Sequence, residues 1–214
     1  MLIDAKTDLE ATDPDGCTPL CWASCGDQAQ VVQVLIDAKA GLDKANQNGG
    51  TPLLISSQEG HVKIINLLIA AKADLNKPMK DGCSPLMTSS ERGHVQVAKV
   101  LINAGADVHQ RSHGGQSALD AAACKGHVSI ARRLLASGAL NTNAIATNGT
   151  LITRLEQWEA VRDNPEMLAL IVRFRCAGCE QLCAGSSAVS ESIERGTRSV
   201  RCWRMSASRS ARLS

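Results

Sequence analysis

The stretch Gly16 to Trp22, GCTPLCW, decides the fold because it returns three times at one spacing. GGTPLLI begins at Gly49, GCSPLMT at Gly82 and GQSALDA at Gly115, a period of 33 residues. A second series keeps the same step: LID at Leu2 and Leu35, LIA at Leu68, LIN at Leu101 and LLA at Leu134. Two independent markers in one frame make the chain a repeat array.

Composition agrees. The 214 residues include one Phe, no Tyr and three Trp, so the apolar content is nearly all aliphatic. Stacked helices can be packed by Leu, Ile, Val and Ala without the aromatic bulk that a closed globular core usually draws on. The net charge of +2 hides an asymmetry. Residues 184–214 hold six Arg and two Glu, leaving 17 of the 23 Lys and Arg and 19 of the 21 Asp and Glu to residues 1–183. A nearly neutral array points to no nucleic-acid partner. Three of the nine Cys (Cys17, Cys21, Cys25) crowd one repeat and the rest share no column, which favours free thiols in a reducing compartment over a disulfide framework. The start MLIDAK lacks a cationic region followed by a long apolar stretch, and the apolar run from Met167 is too short to span a bilayer. An intracellular, cytoplasmic protein without membrane insertion is expected.

Each unit holds two short helical signals. The first opens on Thr18, Thr51, Ser84 or Ser117 as N-cap, followed in three units by Pro19, Pro52 or Pro85, where a missing N–H does no harm. It is limited to about two turns by the breaks Gly60-His61, Gly93-His94 and Gly126-His127. The second follows at once, as in HVKIINLLIAA. There Val62, Ile65 and Ile69 line one face and Ile64, Leu67 and Leu68 fill most of the rest, so the helix must be covered on more than one side. Neighbouring units supply the cover. An apolar residue recurs in the connections as Leu9, Leu42, Leu75 and Val108, and the turns before each cap (DPDG, NQNG, MKDG) are polar. The pattern predicts a solenoid of antiparallel helix pairs with a row of projecting turns.

The unit Gly82 to Asp107, GCSPLMTSSERGHVQVAKVLINAGAD, resembles the ankyrin repeat. The resemblance covers roughly residues 1–143 and implies an all-α ankyrin-repeat solenoid with β-turn or hairpin fingers. It divides the chain into a partial repeat at 1–14 and full repeats at 15–47, 48–80, 81–113 and 114–146. A degenerate helical cap at 147–183 follows, and then a disordered Ser/Arg-rich tail at 184–214. In the cap, Thr150 to Val161 can form a helix, and Asn164 with Pro165 is set to start another. The tail is read as solvated, with RNA or an acidic surface as the alternative contact for its arginines.

Departures from the family pattern carry expectations of their own. The His that usually follows T-P-L and ties adjacent repeats is replaced by Cys21, Leu54, Met87 and Asp120, so those ties are expected to be missing. The Gly that ends the second helix is present as Gly105 and Gly138 but replaced by Lys39 and Lys72, which predicts lysines at positive φ and looser repeats there. Residue 1 falls inside a second helix. The N-terminal edge is then an exposed apolar face, a fragment boundary, or a surface covered by something else.

Catalytic signatures are sparse. No phosphate-binding loop, H-E-x-x-H pair or nucleophile elbow occurs. His61, His94 and His127 stand one unit apart, about 10 Å, whereas a shared metal needs ligand nitrogens at about 2 Å. They are read as turn imidazoles satisfied by backbone, and Trp22 is read as a core residue. Cys176, Cys179, Cys183 and Cys202 admit a zinc site, and their position is similar to the opening of a MYND-type zinc finger. The second C-x-x-C and the His of that family are missing, so free thiols or a redox role remain the other readings. No metal, cofactor or small-molecule substrate is expected.

Taken with the resemblance, these features make the chain a non-catalytic interaction scaffold for a protein partner. The alternative is the substrate-receptor part of a larger enzyme or zinc-finger protein. Partner contacts in the ankyrin family are made by the finger turns and the exposed side of the first helix. Carried onto this chain they fall on Asp15, Gln47, Asn48, Lys80, Asp81 and His113 in the turns, and on Gln58, Glu59, Glu91, Arg92 and Lys125 in the helices, with the charge concentrated in the repeats at 48–80 and 81–113.

Overall fold

The computed structural model describes residues 8–139, 164–167, 169 and 170, all of them in one compact unit. Within these residues the regular structure is helical. Four first helices, α1 (Pro19–Cys25), α3 (Pro52–Glu59), α5 (Pro85–Arg92) and α7 (Ala118–Cys124), alternate with four second helices, α2 (Ala29–Asp37), α4 (Val62–Ala70), α6 (Val95–Asn103) and α8 (Val128–Ala136). Each first helix packs on the next first helix and each second helix on the next second helix, so two parallel layers run the length of the stack. The rest of the expected organisation, at 1–7, 140–163 and 171–214, lies outside the described residues, as do the four candidate zinc cysteines.

Local chemistry sets the helix ends where the sequence places them. Thr18, Thr51, Ser84 and Ser117 accept the backbone N–H three residues on at 3.2 to 3.3 Å. Ser117 completes a capping box, because Asp120 accepts its backbone N–H in return at 2.8 Å. Asn164 likewise accepts from Met167 N–H at 3.1 Å at the start of the helical residues 165–167. Lys39 and Lys72 are left-handed, at φ 67° and 69°, and Asp27 joins them at 52° in the column otherwise held by Gly60, Gly93 and Gly126.

The core lies between the layers. Leu20, Leu53, Leu86 and Leu119 from the first helices meet Leu35, Leu68, Leu101 and Leu134 from the second, all buried, and burial of such a side chain contributes about 1.5–3 kcal/mol. In α4 the fully buried face is Ile64, Ile65 and Leu68, while Val62, Leu67 and Ile69 are half-buried. The apolar arc expected there is covered on both sides, but its centre lies at Ile64 and Leu68 rather than Val62 and Ile69. Trp22 is a clear correction: it is 58% exposed. Leu20 fills the core position two residues earlier, and the indole leaves the helix on the opposite side to donate its Nε1–H to Asp13 Oδ2 at 2.9 Å.

Candidate functional site

The finger turns are built by small closed loops. Met79 N–H donates to Cys83 C=O and Gly82 N–H to Met79 C=O, and the same pair recurs at Asp13, Asn46 and Ser112. Neighbouring fingers are then joined by their backbones. Gln47 N–H donates to Asp15 C=O, Lys80 N–H to Asn48 C=O and His113 N–H to Asp81 C=O, at 2.9 to 3.0 Å. Main-chain groups of the turn residues thus hold the row together, which leaves the side chains of Asp15, Gln47, Asn48, Lys80, Asp81 and His113 exposed. At Gly82 the φ is 85° and an added Cβ would stand 2.7 Å from His113 N, so this junction admits only glycine.

On the first helices, Glu59, Glu91, Arg92 and Lys125 are exposed and Gln58 is half-buried. Two of these side chains are engaged across the stack, with Lys125 Nζ 3.6 Å from Glu91 Oε1. Gln58 donates to Glu59 at 3.2 Å. Both are surface contacts of small energetic weight. The eleven residues lie along fingers and first helices, ten of them exposed and Gln58 half-buried.

Ties between units are present and come from other residues than the family's usual histidine. His61, His94 and His127 turn their Nε2 atoms back to the carbonyls of Cys25, Gln58 and Glu91 in the preceding unit, at 3.0, 2.9 and 3.1 Å. The backbone-satisfied reading of these imidazoles holds, with the partner in the preceding unit rather than in the same turn. The rings need room. An added Cβ would lie 2.8 Å from His94 Nδ1 at Gly60 and 2.5 Å from His127 Cε1 at Gly93, which explains the Gly of these two Gly-His pairs, whereas at Gly126 the nearest atom is Asn164 Nδ2 at 3.8 Å. In the column expected to lack ties, the Cys21 thiol donates to Lys44 C=O at 3.7 Å, within its own unit. Asp120 instead serves its own cap and sits 3.8 Å from Arg111 Nη1.

A second ladder runs through the connections between helix pairs. Glu10, Asp43 and Asn76 accept the backbone N–H of Gly41, Asp74 and Asp107 at 2.6 to 2.9 Å. Their carbonyls accept from the side chains of Lys44, Lys77 and Gln110 at 2.6 to 2.9 Å. Satisfying otherwise open backbone groups in register, these bonds fix each unit's position on the last.

Among the described residues no group of three or more His, Cys, Asp or Glu is placed to hold a metal ion. Two of the thiols are held protonated. Desolvation, reinforced by the charge of Asp81, pushes Cys83 up to about 11, and desolvation also raises Cys17, so both hold their protons at neutral pH. No described helix is long and apolar enough to cross a membrane.

Helix pairs in two layers, a row of backbone-joined turns and exposed polar residues along turns and first helices define a helical repeat scaffold. The family model for ankyrin repeats, in three copies, matches residues 1–79 and 71–145, and the chain belongs to the ankyrin-repeat family. No curated protein matches the chain. Ankyrin repeats are in general protein-interaction modules, and the family is typically non-catalytic. Trp22 and its partner Asp13 were missed as surface residues. The signal was available: the Trp22 column continues as Ile55, Thr88 and Ala121, varying as exposed columns do, whereas the Leu20 column is Leu in all four units.

Proposed function

We propose that the chain is a non-catalytic scaffold or adaptor that binds a protein partner through its finger turns and the exposed side of its first helices. The contact uses Asp15, Gln47, Asn48, Lys80, Asp81 and His113 from the turns and Gln58, Glu59, Glu91, Arg92 and Lys125 from the helices, with its polar centre in the repeats at 48–80 and 81–113. One observation carries this reading: ten of these eleven positions are exposed and differ from unit to unit, on a frame whose buried Leu columns do not. A fixed frame with a variable surface suits recognition of an irregular partner. Immobilised wild-type chain should capture partners that are lost when Glu59, Lys80, Glu91 and Arg92 are all changed to Ala in a protein with an unchanged helical spectrum. Full retention of every partner would place the contact elsewhere.

A further inference from the structure

The finger and first-helix face is electrically graded. Residues 13–27 carry Asp13, Asp15 and Asp27 with no Lys or Arg, and residues 46–60 carry Glu59 alone. In residues 79–93, Lys80 and Arg92 balance Asp81 and Glu91. In residues 112–126 Lys125 faces solvent while Asp120 is buried in its cap. Leaving out the buried Asp120, charge on this face therefore runs from −3, with Asp13 half-buried, through −1 and 0 to +1 along the stack.

The acidic end of this gradient also holds the largest exposed apolar side chain among the described residues. Trp22 is 58% exposed, and its orientation is set by the Nε1–H bond to Asp13. Asp13 is fixed in turn, since its Oδ1 accepts the backbone N–H groups of Asp15 and Cys17 at 3.0 and 2.8 Å. A rigid aromatic ring already paid for in rotamer entropy is the kind of group that dominates an interface. Beside it Ile55 is half-buried in the same column one unit on. Asp27 is exposed at the end of α1, with His61 Nδ1 3.5 Å from its carboxylate, a cationic competitor only when protonated.

We infer that the first unit of this face docks an arginine-rich, extended segment of a partner protein, with Trp22 as the anchor and Asp15 and Asp27 as flanking charges. This deepens the scaffold reading and rests on it. Guanidinium stacks on an indole face and pairs with carboxylates at the same time, which neither an acidic nor a purely apolar segment can do. The gradient sets direction: the cationic part lies over α1, and the segment becomes neutral or acidic toward Lys125. Phosphate backbones are repelled from the α1 end.

The probe is a fluorescein-labelled peptide of about nine residues alternating Gly and Arg, long enough to span about three units at about 10 Å each, with a Gly-Glu counterpart. Fluorescence anisotropy with the full chain should show the arginine peptide binding and the glutamate peptide not. Trp22→Ala should weaken binding about tenfold, and Trp22→Leu, which keeps apolar bulk and protects the fold, should weaken it as much. Trp22→Phe should stay within about threefold. Asp15→Asn together with Asp27→Asn should weaken binding and flatten its salt dependence, while Glu91→Gln changes it less than about twofold. Equal binding by the glutamate peptide, or affinity unchanged in Trp22→Leu, overturns the inference. So does a captured partner that ignores Trp22 but is lost with Glu59, Lys80, Glu91 and Arg92, a result that leaves the scaffold reading standing.

Discussion

The helix pairs α1–α2 and α5–α6 are written in one sequence frame but meet their two left-handed positions differently. The α5–α6 pair places Gly93 at φ 80° and Gly105 at 90°, whereas α1–α2 has Asp27 at 52° and Lys39 at 67°. A side chain at such a position costs about 1 kcal/mol, less for Asp than for most residues. The two columns nevertheless ask for glycine for different reasons. Gly93 faces the His127 ring, while an added Cβ at Gly105 would meet nothing within 4 Å. One is a packing demand between units and the other a torsional preference within a unit. In the first pair Asp27 takes the packing position, and its carboxylate stands 3.5 Å from His61 Nδ1, a polar contact that glycine cannot make.

This distinction can be broken most sharply at the two glycines. Gly93→Ala should destabilise the array by about 2–3 kcal/mol, combining positive φ with a clash against an imidazole that bridges to Glu91. Gly105→Ala should cost about 1 kcal/mol from torsion alone. Denaturant midpoints measure both, and equal losses would show that the His127 ring yields freely. A smaller effect of opposite sign is expected at the lysines. Lys39→Gly and Lys72→Gly should each stabilise by about 0.5–1 kcal/mol, because both backbones already have the conformation glycine tolerates. An unchanged or lowered midpoint would count against it.

The smallest effect concerns protonation. Asp13 titrates below its ordinary 3.8, chiefly because Cys17 N–H donates to it, with Trp22 a lesser contributor, against a partial opposing desolvation. A depressed folded pKa means that its stabilisation is complete above the unfolded value and is lost as pH falls through the folded one. Trp22→Phe removes one donor and should move the Asp13 titration back toward 3.8. Carboxyl NMR titration reads the shift, and an unmoved titration would mean that the indole bond is not made in solution.

Most of the frame was legible because it is periodic. The caps at Thr18, Thr51, Ser84 and Ser117, the two-turn first helices and the left-handed lysines all follow from a local residue type at a known offset. Partners one unit away were not legible. Nothing at Glu10, Asp43 or Asn76 marks them as acceptors for backbone groups 31 residues on, since an acidic or amide side chain in a connection is equally suited to solvent. His61, His94 and His127 sit in a turn by sequence, and only the stacking distance shows that their rings reach the preceding helix. Trp22 failed for another reason: large apolar residues are usually buried, and that habit outweighed the variability of its column. At the candidate site, exposure of the polar residues was readable, whereas the use of the finger backbones to join the row was not.

Among the described residues, no hydrogen bond joins positions more than 36 apart. Tension applied along the stack therefore never loads a contact between distant parts of the sequence. Each unit is held only by its neighbour, and under force the array should come apart from an end like a zip, one helix pair at a time. Each release frees about 33 residues, which at about 3.3–3.6 Å per residue, less the thickness of one layer, lengthens the chain by about 100 Å. A molecule of this kind should give way in small, similar steps and regain them in the reverse order, as an extensible spring does.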